Sequence, residues 1–381
     1  MDFAWSEEQR QFRQEVIRFA KEELNDNVIE RDLNEEFSWD LWKKCAKFGI
    51  QGLPISSEYG GSQADTLTTV CGLEALGYGC RDNGLIFSIN AHMWSSEIPI
   101  SAFGTEAQKK KYLPNLVNGE WVGVHAMTEP MSGSDAYSMR SRAVRKGNCY
   151  VINGSKTFIT NAQNAEFVIV FAKLDSPESD GGVTGFIVDK DTPGFTISKK
   201  LHKMGLRTSP MAELAFVDCE VPLENLLGKE GGGPAIFTAS MEWERICILA
   251  SHLGAMQRML ETSVKYAKER HQFGQPIGQF PPISDKIAEM DIRLETARLV
   301  LYKAAWLKSQ GKHPLREASI AKAYVADACI KTALDAIQIH GGYGYMTEYQ
   351  IERELRDAIS GKIYSGTTEI QKKIIAGFHG L

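Results

Sequence analysis

Glu244 is the residue of this chain that most asks for a chemical explanation. It stands in "SMEWERICILASHLGAMQ" (240 to 257), where Trp243, Ile246, Leu249, Ala250 and Leu253 mark a mostly buried helix. A carboxylate on such a helix is costly unless it is paired or used. On spacing alone, the preferred account is a structural glutamate paired with its neighbour Arg245. Glu242 is the nearest other carboxylate, but its place two residues away points it off the Glu244 face. A second stretch, "KIYSGTTEIQ" (362 to 371), reads as an extended Lys-Ile-Tyr running into a helix start, with Glu369 placed to close a capping box. Its Ser365 is far too weak a base to remove a proton unaided. In a third, "HAMTEPMSGSD" (125 to 135), a strand leads into Thr128, Pro130 and a Gly-Ser-rich turn. By composition alone a plain strand and turn is preferred. The same residues would also lay backbone N–H groups and the Thr128 hydroxyl along the polar edge of a flat cofactor ring.

Other chemistries find no motif. There is no strand-G-x-G-x-x-G-helix, no Walker loop and no H-E-x-x-H. The eight histidines show no ligand-like spacing; His202, His252, His271 and His340 read as packed or hydrogen-bonded, and no metal is expected. "EGGGP" lacks the strand and the Lys-Ser/Thr of a phosphate cradle and reads as a flexible linker.

The elements that must position these residues change period twice. Helical spacing runs from Ser6 to about Gly119, with Phe12, Val16, Phe19 and Ala20 on one face. From about Trp121 to Pro222 the period shortens toward two, and Asn153-Gly154 between apolar runs is a strong hairpin signal. A Gly-rich hinge, "GKEGGGP" (228 to 234), follows. Helical spacing then returns, with one long helix starting at Pro281-Pro282 and a second running from about Leu315 to His340 before Gly341-Gly342.

With 381 residues, 43% apolar and 24% charged, the chain has the composition of a globular protein of two or three packed domains. A balance of 43 Lys+Arg against 48 Asp+Glu argues against a nucleic-acid partner held by bulk charge. "MDFAWSEEQRQF" lacks the apolar core of a signal peptide, and no apolar run approaches a membrane span. The seven cysteines form no C-x-x-C pair and read as reduced, small hydrophobes of a cytoplasmic protein.

"HAMTEPMSGSD" resembles the "TEP-x-x-GSD" pattern of the acyl-CoA dehydrogenase family. "NGSKTFITN" (153 to 161) is similar to that family's "NG-x-K-x-[WF]-IT". "RHQFGQPIGQF" (270 to 280), "QIHGGYGY" (338 to 345) and "IYSGTTEIQ" (363 to 371) follow in family order. Five matches in register are a specific resemblance. It implies an α+β multidomain fold: an N-terminal α-helical domain (1–120), a middle β-barrel-like domain (121–230) and a C-terminal four-helix bundle (231–381). It also implies a homotetramer with one FAD per subunit.

The resemblance further implies roles. His125, Met127, Thr128, Gly133 and Ser134 would line the pyrimidine edge of the flavin, with Thr128 donating to the ring. Phe158 and Thr160 would cover the other face and reach N5. Arg270, Gln272 and Phe273 would form an arm to the pyrophosphate of a neighbouring subunit's FAD, where two phosphate charges need a bidentate counter-ion. Phe280 counts among the cofactor residues, although Pro281 replaces the family's usual Gln after it. Gln338, Gly341 and Gly342 would approach the same FAD, and Thr367 and Glu369 its adenylate half. Ser134, Arg245, Tyr364 and Gly366 would contact substrate.

The family's reaction removes the α-proton of an acyl thioester while hydride leaves the β-carbon for the flavin. It needs a carboxylate over Cα and hydrogen bonds to the thioester oxygen. The Ser365 backbone N–H meets the second need. Its side chain fails the first, because most of the family carries "YEGT" where this chain has "YSGT". Glu244 matches the position used as base by isovaleryl-CoA and long-chain acyl-CoA dehydrogenases. The combination "SM-x-WER" with "[IY]-x-SGT" is most similar to flavin-dependent dehydrogenases and oxidases of L-prolyl carrier proteins. That resemblance implies a phosphopantetheinylated carrier protein bearing L-proline as partner and natural-product biosynthesis as setting. A branched or short-chain acyl-CoA dehydrogenase using Glu244 is the alternative, and a catalytically silent flavoprotein a third reading.

Overall fold

The computed structural model describes residues 5–175 and 182–381. The first four residues of the start read as no signal peptide lie outside them. Seven α-helices come first: α1 (Glu7–Glu23), α2 (Val28–Asn34), α3 (Trp39–Phe48), α4 (Thr66–Gly79), α5 (Asn83–His92), α6 (Ile98–Phe103) and α7 (Glu106–Val117). A π-helical turn, Met93–Glu97, joins α5 to α6. Eight strands follow: β1 (Gly123–Ala126), β2 (Arg142–Lys146), β3 (Cys149–Thr160), β4 (Phe167–Asp175), β5 (Val183–Asp189), β6 (Phe195–Lys200), β7 (Met211–Pro222) and β8 (Leu226–Leu227). The last part is helical: α8 (Gly233–Cys247), α9 (Ala250–Glu269), α10 (Pro281–Ser309), α11 (Leu315–His340), α12 (Ile351–Ile359) and α13 (Thr368–Gly377), with a small hairpin, β9 (His271–Gln272) and β10 (Gln275–Pro276), between α9 and α10.

Capping explains several helix starts. Ser6 and Thr105 close capping boxes with Gln9 and Gln108, and Asp65 and Asp82 cap α4 and α5. The face of α1 buries Val16 and Ala20 as the spacing predicts. The sheet order is β6-β7-β3-β2-β4-β5-β8. Opposite β5, the first half of β4 pairs in parallel with β1 and its second half with β2. That makes β4 the spine of the sheet. "FVIVFAKLD" is apolar almost without alternation because both of its faces are buried: Phe167 and Phe171 on one, under Tyr112 of α7 and Phe237 of α8, and Val168, Val170 and Ala172 on the other. In the C-terminal part α11 packs against α9, α10, α12 and α13. Among the described residues no helix is long and apolar enough to cross a membrane. All seven cysteines are free, six of them buried.

Local expectations fail in four places. Asn153-Gly154 is no hairpin; it lies inside β3, at a register shift against β7 where Gly154 (φ 153°) leaves room for Ser141. The turn is Gly147-Asn148, joining β2 to β3 with Lys146 opposite Cys149. The helix around Glu244 is two helices, α8 ending at Cys247 and α9 starting at Ala250. Lys362–Tyr364 is not extended: a 3-10 turn ends at Lys362, and Ile363 is right-handed helical. Finally, α13 has Thr367 as N-cap, donated to by Ile370 N–H, so Glu369 sits one place too early to close a capping box. The glycine-rich stretch after β8 is a bonded turn, with Gly231 N–H donating to Thr184 Oγ1 at 2.9 Å.

Candidate active site

Glu244 occupies the last turn of α8 with its side chain buried. Among the described residues no cation lies within ion-pair distance of it, so the expected pairing with Arg245 does not form. Glu242 points elsewhere, to Lys308 Nζ at 2.6 Å and His313 Nδ1 at 3.2 Å. Glu244 instead meets the Ser365 hydroxyl. Burial pushes its carboxyl up to about 7, against the smaller opposing pulls of that hydroxyl, Arg245 and Lys322. A carboxylate held near neutrality, with the Ser365 side chain beside it, is suited to accept a proton.

The wall opposite comes from the turn before α13. Ser365 (φ 54°) and Gly366 (φ 85°) are both left-handed, an uncommon conformation for serine. Gln371 Nε2 donates to Ser365 O at 3.2 Å and Gly366 O at 2.9 Å, and Lys322 Nζ to Gly366 O at 2.7 Å. Ser365 N–H donates to no group among the described residues. Tyr364 packs on Phe87, ring centroids 4.8 Å apart, and its hydroxyl lies 3.4 Å from His252 Nε2. These three line, with Ile248 and Ser251, a cavity of about 20 Å³, space for one water. Ile248 is one turn beyond Glu244, so the room on that side is small.

Sequence reasoning missed Lys322, a fully buried residue in the middle of α11. Nothing in "SIAKAYVADA" marks it, since a lysine every few residues on a helix is ordinary; burial alone reveals it. Two further residues were missed inside motifs already singled out. Lys156 of "NGSK" and Glu129 of "TEP" form a buried ion pair at 2.9 Å, and Lys156 also donates to Met127 O at 3.0 Å. Burial opposes the charge on Glu129, but Lys156 and the N–H groups of Arg140 and Ser141 outweigh it and hold the carboxyl at about 2. Thr157 N–H to Thr128 O, 3.0 Å, completes the seam between these segments.

That seam sets Thr128 beside β3, whose second register shift falls between Lys156 and Ile159. The shift turns Phe158 outward, 62% exposed at φ 58°. Thr160 is half-buried at the end of β3. His125 lies within about 6 Å of Phe237 and Phe171, and its shielded Nδ1 has no partner. Met127 is buried, Ser134 is exposed, and open space surrounds the Gly133 position. Tyr137 packs edge-on to Phe237 and faces Arg245, linking this edge to α8.

A second group gathers on the C-terminal part. Phe273 (φ 52°) and Gly274 (φ 81°) form the tight turn of the β9-β10 hairpin, and Phe273 is 94% exposed. Phe280 meets it edge-on at 6.0 Å, and Arg270 lies 5.9 Å from the Tyr343 ring, beside Gly341 and Gly342. Gln272, Gln338, Gly341 and Gly342 are exposed. Thr367 and Glu369 lie apart from this hairpin in the chain, at the start of α13.

These surfaces fit a flavin dinucleotide. Two large aromatic side chains project outward on strained turns, a shielded imidazole nitrogen lacks a partner, and no atom lies within 4 Å of where Cβ atoms would stand at Gly133, Gly341 and Gly342.

Family models for the acyl-CoA dehydrogenase N-terminal, middle and C-terminal domains match residues 6–120, 125–219 and 231–378. An acyl-CoA dehydrogenase of Bacillus subtilis is 44% identical over 373 residues, covering 98% of each chain. Among solved structures, the prolyl acyl carrier protein oxidase AnaB is 50% identical with a TM-score of 0.97, covering 99% of this chain and 100% of that one. PigA with FAD and proline is 40% identical with a TM-score of 0.97 and covers both chains in full.

Proposed function

Because this chain belongs to the acyl-CoA dehydrogenase family, with FAD as cofactor and a dehydrogenase or oxidase activity, we propose that its substrate is an L-prolyl thioester on the phosphopantetheine of a carrier protein. One observation carries the mechanism: a buried, unpaired carboxylate, Glu244, faces the serine that replaces the loop glutamate of "YEGT".

Glu244 removes the proton from Cα of the prolyl group. Its elevated pKa matches a base that must take a weakly acidic proton near neutral pH. The free N–H of Ser365 donates to the thioester oxygen and holds the charge that develops there. The bound flavin supplies, at N5, the acceptor for the hydride that leaves Cβ. The electron pair of the Cα–H bond becomes the new α,β double bond, which tautomerises to a pyrroline. Arg245, whose buried Nε has no partner, and Ser134 orient the pantetheine side of the thioester. Tyr364, packed on Phe87, and Gly366 bound the acyl end.

His125, Met127, Thr128, Gly133 and Ser134 hold the flavin edge, Phe158 and Thr160 its other side. Arg270, Gln272, Phe273, Phe280, Gln338, Gly341 and Gly342 complete a dinucleotide site across a subunit boundary, with Thr367 and Glu369 at the adenylate. That arrangement requires an oligomer, for which we propose a homotetramer, working in the cytoplasm within natural-product biosynthesis. The exposure of Phe273 and Arg270 supports it, since both leave surface for a neighbouring subunit to cover.

A second reading has support of its own: the 44% identical relative carries the name acyl-CoA dehydrogenase, so a short or branched acyl-CoA is the competing substrate. Anaerobic bleaching of the bound FAD by prolyl-carrier protein, isovaleryl-CoA and butyryl-CoA separates the two. Rapid bleaching by the carrier-bound prolyl group alone is expected; bleaching by the CoA esters alone would sink the proposal.

A further inference from the structure

Lys322 is fully buried in α11, yet no carboxylate lies within ion-pair distance of it among the described residues. Its ammonium ends on the Gly366 carbonyl at 2.7 Å and stands 5.7 Å from the Tyr364 ring. Burying an ammonium in this way is unfavourable and persists only where something requires it. The turn it holds is itself strained, with a non-glycine residue, Ser365, in the left-handed region immediately before a left-handed glycine. Gln371 of α13 grips the Gly366 carbonyl as well, and that of Ser365. The turn is thus fixed through its oxygens, which leaves the Ser365 N–H without a partner among the described residues and its side chain beside Glu244.

We propose that Lys322 is a positioning residue for proton removal: it locks the Ser365–Gly366 turn so that the Ser365 N–H meets the thioester oxygen, and its charge favours the ionised form of Glu244. The proposal rests on the function given above for Glu244 and Ser365. The groups that face Glu244 are Arg245 from its own helix, Lys322 from α11, and Ser365 and Tyr364 from the turn. Those that face Lys322 are Arg245 and Glu244 from α8, His252 from α9, Tyr364 from the turn and Glu369 from α13. Burial and Arg245 push the ammonium toward losing its proton, to about 7, while the two glutamates resist. The cation and the base therefore titrate in the same range, and removing either changes the pH response of the other.

The test uses FAD-loaded protein with Lys322→Met, which keeps the stem and removes the charge and the donor, and Lys322→Gln, which keeps a donor without the charge. Two measurements are made. One is the pH profile of anaerobic bleaching by whichever thioester bleaches the unaltered protein. The other is the carbonyl infrared frequency of a bound, non-reducible thioester analogue, which reads the Ser365 hydrogen bond with no turnover. Lys322→Met is expected to slow bleaching at least tenfold, to move the apparent ionisation of the base to higher pH, and to return the carbonyl frequency toward its value in water. Lys322→Gln is expected to restore the frequency but not the pH profile. An unchanged frequency and profile in Lys322→Met overturns the proposal; if that variant does not fold, an unchanged profile in Lys322→Gln overturns the electrostatic half, and an unrestored frequency there overturns the positional half. The infrared measurement needs neither proline as substrate nor Glu244 as base, so failure of the functional reading is seen separately, as normal bleaching in Glu244→Gln.

Discussion

Among the described residues a buried glutamate and a buried lysine stand near each other twice, and are treated in opposite ways. In the β-domain Lys156 and Glu129 touch at 2.9 Å, and the carboxylate accepts two backbone N–H groups as well. In the helical part Glu244 and Lys322 are neighbours that do not pair. The lysine goes to a carbonyl oxygen, and the glutamate lies beside a serine side chain. In the paired set the Glu129 carboxyl is held at about 2 and is ionised at neutral pH. The divided pair leaves the carboxylate at about 7, within reach of a proton. Contact makes such a pair part of the scaffold, and separation keeps its base available.

The comparison breaks first at Glu244. Glu244→Gln should slow anaerobic flavin bleaching by about a hundredfold to ten-thousandfold, the range for a lost general base, with the FAD content unchanged. Stopped-flow absorbance checks it, and bleaching at the ordinary rate would make Glu244 structural after all. The counterpart in the scaffold is Lys156→Met. Removing one partner of a buried ion pair costs about 3–5 kcal/mol, so the urea midpoint should fall sharply. An unchanged midpoint would show that the seam between the "TEP" and "NGSK" segments does not depend on that pair.

The pH dependence should differ in sign between the two. Glu129 is depressed in the folded state, so its stabilisation is present above the ordinary carboxylate range and is lost as pH falls toward about 2. Glu244 is raised, so its destabilising cost appears as pH rises from the ordinary range through about 7, and Glu244→Gln should gain stability there. The bleaching rate should accordingly fall about tenfold per pH unit below 7, the base being active only as carboxylate. A rate flat from pH 5 to 8 would remove the link between burial and basicity. The smallest effect belongs to Ser365→Ala. Losing one hydroxyl hydrogen bond to the carboxylate, about 1 kcal/mol, should slow bleaching about fivefold at pH 7 and move the profile to higher pH. A change of more than a hundredfold would mean that Ser365 has a chemical role of its own.

Much of this was legible in the residues. The order helical, strand, helical followed from the change in period, and Leu315–His340 and the helix start at Pro281 agree to the residue. The residues proposed to hold the flavin could be picked out because they lie in short local strings whose turns are made by neighbours in sequence. Asn153-Gly154 misled because the same dipeptide serves a hairpin or a bulge, and only the partner strand β7 decides which. Arg245 was expected to neutralise Glu244 because it is adjacent in sequence, but successive residues on a helix point about 100° apart. Lys322 carried no local signal at all.

Sequence alone determined which chemical groups this protein has and in what order: a carboxylate on an apolar helix, a serine in place of a loop glutamate, and five motif strings in register. Only the tertiary structure decided their partners. Whether a buried lysine neutralises a glutamate or leaves it free depends on distances of a few ångströms between α8, α11 and the turn before α13. Those distances are set by how three separate elements pack, and no stretch of sequence contains them.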